Sequence, residues 1–181
     1  MLSLTFFFFF LMVLFGIIGA SRGWAKEMLV TFGVVLALFM VALLEEFVPI
    51  IKEMVKSTDV NQKEALFWLR FAILIILGFF GYQTPRLTKV AQLVKPRERL
   101  EDALLGFFLG ALNAYFLVGS IWFYLDHAGY PFSYITAPVA GTEMGDAAIR
   151  LIGWMAPAWL TIPYVYFAVA VAFVFVIVVF L

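Results

Sequence analysis

The sequence predicts an all-α membrane protein, a bundle of about five transmembrane helices with an interfacial amphipathic helix before the last. Two features of the composition support this class. Hydrophobic residues make up 65% of the 181 residues and charged residues only 13%, whereas soluble domains are about half apolar and a quarter charged. The mean hydropathy is +1.06. A third observation is that five stretches approach the roughly 20 apolar residues that a helix needs to cross a bilayer.

We predict five spans, at about residues 1–20, 24–44, 66–82, 103–125 and 160–181. Together they form a single transmembrane domain that covers residues 1–181. The first span contains the run Phe6 to Phe10 and no charge. Because it lacks a basic start and is longer than the apolar region of a signal peptide, we interpret it as a retained anchor. The last is rich in valine, but only a helix satisfies its backbone within lipid.

The connections between the spans are predicted to include two surface helices. A short one follows Pro49 within the mixed segment 45–64. A second, at about 142–156, has an apolar stripe typical of a helix that lies along the membrane interface. This stripe consists of Met144, Ala147, Ala148, Leu151, Ile152 and Met155.

The distribution of basic residues predicts the orientation of the chain. The first and third connections contain seven, namely Arg22, Lys26, Arg86, Lys89, Lys95, Arg97 and Arg99. The opposite side contains five, namely Lys52, Lys56, Lys63, Arg70 and Arg150. By the positive-inside rule we expect the N-terminus outside and the C-terminus in the cytoplasm.

The composition argues against several classes of site and partner. Cysteine is absent and His127 is the one histidine, which excludes disulfides, thiolate metal sites and a bis-histidine haem within the chain. No catalytic triad pattern, phosphate loop or zinc signature is present, so we expect no enzyme activity, cofactor or metal. Lys+Arg and Asp+Glu both number 12, which does not suggest a nucleic-acid partner. The expected partners are membrane lipid and other membrane-protein subunits or further copies of this chain.

The first segment that we single out is the turn from Gly19 to Glu27. In it, Gly19 and Gly23 bracket Arg22, and Glu27 follows in the first turn of the next helix. Positions five apart lie on different faces of a helix, so we expect Arg22 and Glu27 to find separate partners in other helices or lipid phosphates. The alternative is a tight hairpin in which Arg22 and Lys26 only set the topology.

The second segment, at the head of the fourth span, presents small residues on one face. Gly106, Gly110 and Ala114 are four apart, and the first helix has a similar stripe. Small residues let helix backbones approach closely in lipid. We therefore predict that the two faces touch, either within the chain or between copies. The stripe in the first helix consists of Gly16, Gly19 and Gly23.

Three polar residues near or within the spans need separate interpretations. Asn113 is expected to hydrogen-bond to another helix, the alternative being that it lines a polar path. Arg70 lies one turn into the third span, and we expect its side chain to extend to the outer surface. His127 follows Asp126 at a membrane edge and is interpreted as an interfacial residue.

The two segments together resemble the colicin V production protein (CvpA) family of bacterial inner-membrane proteins, over roughly residues 5–155. The residues that match are Gly19, Arg22, Gly23 and Glu27, followed by Leu100, Asp102, Gly106 and Gly110. The resemblance implies an inner-membrane protein associated with export of small toxic peptides and with envelope integrity. It also implies four spans, so that the fifth predicted helix is an addition.

The leading hypothesis is therefore a non-enzymatic CvpA-like protein that acts in envelope maintenance or export through helix packing with partners. An alternative is an accessory structural subunit of a larger respiratory or photosynthetic membrane complex, suggested by the 22 phenylalanines and the extra helix. A third hypothesis, ranked below both, is a small oligomeric channel or transporter. It would have to build its polar route from Asn113 and Arg70.

Overall fold

The structure is a computed structural model that describes residues 3–83 and 99–180, with side chains to residue 177. These residues form eight helices and no strand. The helices are α1 (Leu4–Arg22), α2 (Trp24–Phe47), α3 (Pro49–Lys56), α4 (Val60–Tyr82), α5 (Arg99–His127), α6 (Glu143–Ile152), α7 (Ala156–Trp159) and α8 (Tyr164–Phe180). Most of the basic third connection lies outside the described residues, including Arg86, Lys89, Lys95 and Arg97.

The predicted class, an all-α membrane protein, is confirmed, with one difference among the spans. Helices α1, α2, α4 and α5 are long and apolar enough to cross a membrane. Helix α8 has 17 residues and is therefore about 25 Å long, against a hydrocarbon core of about 30 Å. The difference arises because the predicted last span began at residue 160, whereas α8 begins only at Tyr164, after a separate short helix.

The long helices alternate in direction, which divides the bundle into two ends. We call the end that contains Gly23, Tyr82 and Asp102 the hairpin end, because α1 turns into α2 there. Contacts of Arg22 with Tyr82 and of Trp24 with Asp102 join these elements. The other end, which we call the loop end, contains the end of α2, the start of α4 and the segment between α5 and α8.

The core lies where α2 packs against α4, α5 and α8, while α1 packs mainly on α5. Val30, Val34 and Leu74 are fully buried there. The backbones of α2 and α4 approach closely, since a Cβ built on Gly33 would lie 2.6 Å from the carbonyl oxygen of Leu77. This second helix contact through small residues was not predicted from the sequence.

Polar caps explain why some helices extend beyond the apolar stretches that identified them. Helix α4 begins at Val60 rather than near residue 66, because the Asp59 side chain accepts a hydrogen bond from Asn61 N. Ser3 caps α1 in the same way through Phe6 N. The polar first turns are helical, but hydropathy alone does not reveal them.

The predicted interfacial helix is present as α6, but it ends at Ile152 rather than near residue 156. Its inner side packs on protein, because Ala148, Ile152 and the following Met155 form a cluster with Phe8 and Trp122. The predicted stripe is divided: Ala147 is exposed, and Met144 is 75% exposed. The short surface helix predicted after Pro49 is α3.

A buried polar cluster as candidate functional site

The hairpin between α1 and α2 depends on the backbone of Gly23. Its φ of 85° lies in the left-handed region, which residues with a side chain rarely adopt. The Gly23 N–H closes α1 by donating to Gly19 O at 2.9 Å, and α2 begins at the next residue. One glycine therefore both ends the first helix and reverses the chain.

Gly23 precedes α2 but has no side chain to cap it, and Asp102 of α5 supplies this cap instead. Its Oδ1 accepts a hydrogen bond from Trp24 N at 3.0 Å. The positive end of the α2 dipole also stabilises a carboxylate at this position. A Cβ built on Gly23 would lie 2.7 Å from Asp102 Oδ2, so the missing side chain makes room for the carboxylate.

The two small-residue faces touch within the chain. A Cβ built on Gly19 would overlap Gly106 O, and one built on Gly106 would overlap Gly19 O. A Cβ built on Gly110 would overlap the carbonyl oxygen of Phe15. The predicted contact is therefore present between α1 and α5 of one molecule, where backbone meets backbone.

The expectation that Arg22 and Glu27 find separate partners is wrong. Arg22 Nη1 lies 2.6 Å from Glu27 Oε1, and the Glu27 side chain is fully buried while 19% of the Arg22 side chain is exposed. The helical spacing argument failed because the helix is not continuous: the turn at Gly23 folds Arg22 back toward α2. The guanidinium also lies over the ring of Tyr82, 4.4 Å from its centroid.

Asn113 joins this ion pair to α5, as the prediction of a hydrogen bond between helices requires. Its Nδ2 donates to Glu27 Oε2 at 2.9 Å and lies 3.1 Å from Glu27 O. The Thr31 hydroxyl lies 2.7 Å from Asn113 Oδ1 and 3.0 Å from Glu27 O. Both oxygens of the buried carboxylate therefore have a partner.

The structure brings together all eight residues that the sequence analysis selected, and we call them the hairpin cluster. They are Gly19, Arg22, Gly23, Glu27, Asp102, Gly106, Gly110 and Asn113. Two further residues, Thr31 and Tyr82, complete the cluster and were not predicted from the sequence. The spacing of Glu27 and Thr31, one helical turn apart, is the signal that could have revealed the first of these.

A second polar contact lies at the loop end, where the expectation for Arg70 is wrong. Its side chain does not extend to the surface: Arg70 is 8% exposed and its Nε lies 2.7 Å from Glu45 Oε1. It turns inward because α2 continues to Phe47, which places Glu45 opposite α4. His127, interpreted as interfacial, is exposed and stacks on Phe123.

The polar side chains at the centre of the hairpin cluster hydrogen-bond to each other. Glu27 and Asn113 are fully buried, and all four of their side-chain polar atoms contact another group of the cluster. Within residues 3–83 and 99–180, no group of three His, Cys, Asp or Glu side chains is placed to hold a metal ion. The arrangement therefore suits a structural connection of three helices.

We expect Asn113→Ala to lower the free energy of unfolding by about 1–2 kcal/mol, because its hydrogen bonds between helices are lost. Ser120→Ala is the matched control on the same helix. The Ser120 hydroxyl is buried without a hydrogen-bond partner among the described residues. Its removal should leave stability unchanged or slightly higher. Unfolding in mixed detergent micelles measures the change in free energy for both variants. Equal changes would contradict the hydrogen bonds assigned to Asn113.

One of three comparisons with known proteins found a match. A family model described as Colicin V production protein matches residues 4–137, more than two thirds of the chain. Searches of curated proteins and of solved structures found no significant match. The matched region contains the whole hairpin cluster and ends before α6. The chain therefore belongs to the colicin V production protein family of membrane proteins.

Proposed function

We propose that this chain is a non-enzymatic protein of the bacterial inner membrane that acts in envelope maintenance or export by packing with partner proteins. The observation that supports this most directly is the closed hairpin cluster. Its buried carboxylate, amide and guanidinium contact each other rather than an open site. Polar groups that hydrogen-bond across helices favour one helix arrangement, and both oxygens of the Glu27 carboxylate are already occupied by Arg22 and Asn113.

The orientation that we propose places the hairpin end in the cytoplasm. Among the described residues, Arg22, Lys26 and Arg99 lie at that end. Four further basic residues of the third connection belong to the same side by sequence order. The resulting excess over the loop end favours this orientation by the positive-inside rule.

The partner surface in this proposal is the outer face of α1. The glycine faces are already covered within the chain, so they are not free to bind a partner. The opposite side of α1 presents Phe6, Phe10, Val13 and Ile17, each more than half exposed. These positions follow a helical spacing and form one aromatic and aliphatic strip, on which a helix of another membrane protein could pack.

A mild-detergent pull-down from native membranes tests this function. We expect discrete partner proteins to copurify with the tagged wild type, and Phe6→Ala/Phe10→Ala to reduce their yield by more than half. The same variant should fail to restore envelope integrity in a strain that lacks the protein. The control is Phe79→Ala/Phe80→Ala, which removes from α4 two rings that are at least as exposed as Phe6 and Phe10. A chain that purifies alone, with both variants fully functional, would refute the proposal.

The exposure of α8 favours one alternative, an accessory subunit of a larger membrane complex. Phe167 and Val171 are 68% and 69% exposed, and among the described side chains of α8 only Val165 is buried. A large native assembly that contains respiratory or photosynthetic subunits would support this alternative. The channel hypothesis receives less support, because Asn113 and Arg70 both have partners inside the bundle.

A further inference from the structure

A cavity of about 510 Å³ lies at the loop end, outside the hairpin cluster. We call it the Arg70 cavity. It is bounded by the ends of α2 and α5, by α3, by Arg70 of α4 and by residues 157–162. Glu46 and Lys56 line it and are exposed, so the cavity is open on that side. Because five separate segments form its wall, the cavity is part of the fold rather than a surface irregularity.

The innermost charged group of the cavity has hydrogen-bonding capacity to spare. Arg70 donates from Nε to Glu45, and its guanidinium lies over Tyr124, 4.6 Å from the ring centroid. Within the described part of the chain, its Nη1 and Nη2 make no hydrogen bond. These two atoms are not among the buried polar atoms that lack a partner, so they remain accessible to a ligand. A ligand could bring acceptor oxygens to them, and a guanidinium fork matches a phosphate well.

The charges around the cavity favour an anion. Three cationic and two carboxylate side chains line it, which leaves a net charge of +1 with neutral histidine. The carboxylates are neutralised, because Glu45 pairs with Arg70 and Glu46 with Lys52 at 2.9 Å. Lys56 has no ion-pair partner among the residues that the structure describes. A phosphodiester carries one negative charge, which balances this excess.

His127 adds an acceptor to the same wall. Its Nδ1 lies 2.9 Å from the carbonyl oxygen of Phe123. A carbonyl only accepts, so Nδ1 carries the proton and Nε2 of the neutral ring is an acceptor. Headgroup hydroxyls such as those of a glycerol could donate to it. The site therefore offers cationic donors for a phosphate and one acceptor for a hydroxyl.

The remaining wall is apolar and lies at the loop end of the bundle. Phe123, Leu160 and Ile162 line it, and the exposed Trp159 stands in the same segment, as expected at an interface. A free phosphate ion would leave this surface uncovered. We propose that the Arg70 cavity binds the headgroup of an anionic phospholipid, with the phosphate at Arg70 and Lys56 and an acyl chain along the apolar wall.

Ligand-induced stabilisation of the delipidated full chain in neutral detergent tests this site. The probes are short-chain phosphatidylglycerol, phosphatidylcholine with the same chains, and sodium phosphate. Of the three probes, we expect only phosphatidylglycerol to raise the melting temperature, and the rise should saturate with its concentration. An equal effect of phosphatidylcholine would overturn the proposal, and so would an equal effect of sodium phosphate, which would identify a free anion as the ligand.

Three variants locate the binding. Lys56→Gln should weaken phosphatidylglycerol binding about fivefold, which corresponds to one surface charge. Glu45→Gln/Arg70→Gln removes both partners of the buried pair together, which leaves no unpaired charge, and should weaken binding more than about tenfold. Lys63→Gln is the control, because Lys63 is a lysine near the same end but outside the cavity. Binding that is unchanged in the first two variants, or equally reduced in all three, would overturn the proposal.

Discussion

Replacing Gly19 by leucine is expected to separate α1 from α5 and to lower the free energy of unfolding by about 3 kcal/mol or more. The large effect has a simple cause. Even a Cβ at this position would overlap the backbone oxygen of Gly106, which no change of rotamer can relieve. A longer side chain would force the helices apart along the whole contact and weaken the polar bonds beyond it. Unfolding in mixed micelles and elution as a single species measure the result.

The matched control is a glycine of α4 that has room for a side chain. A Cβ built on Gly78 would lie 3.5 Å from side-chain carbons of Leu117 and Val34, an ordinary van der Waals distance. We expect Gly78→Ala to leave the free energy of unfolding unchanged or to raise it by up to about 1 kcal/mol, because alanine favours a helix over glycine. Gly19→Ala should already be destabilising. Equal tolerance of alanine at both positions would show that α1 and α5 do not touch as described.

Much of the fold follows from the sequence because lipid imposes strict requirements on it. An apolar stretch of sufficient length must be helical, so α1, α2, α4 and α5 are predictable from hydropathy alone. The bounds are less predictable, because polar turns such as the one after Asp59 are helical outside the apolar stretch. The start of α8 also depends on local geometry, since the chain forms another helix before Tyr164.

The candidate site was predictable in its members but not in its connections. Small residues four apart mark a helix contact, so the meeting of Gly19 with Gly106 could be anticipated. The ion pair between Arg22 and Glu27 could not, because helical spacing assumes a continuous helix and Gly23 breaks it. The burial of Arg70 depends on a contact with a carboxylate 25 positions away, which one sequence does not reveal.

Removing the buried carboxylate of the hairpin cluster is expected to have the other large effect. Glu27→Ala should lower the free energy of unfolding by about 3 kcal/mol, because breaking a buried ion pair leaves one charge without compensation. It also removes Glu27 Oε2, one of the two acceptors of Asn113 Nδ2. The partly exposed Arg22 can recover some hydration, so we expect the lower part of the usual range. Thermal unfolding in detergent measures this change.

The loop end provides a matched control, since Lys52 and Glu46 form an ion pair at 2.9 Å with side chains 44% and 53% exposed. Glu46→Ala should cost less than about 1 kcal/mol, because water screens the charge that remains. The double variant Arg22→Gln/Glu27→Gln should lose less stability than Arg22→Gln and Glu27→Gln lose in sum. In the double variant neither charge is left without its partner. If Glu27→Ala were no more harmful than Glu46→Ala, the buried pair would contribute nothing to the hairpin. The connection of three helices would then depend on the glycine contacts, because these remain when Glu27 is changed.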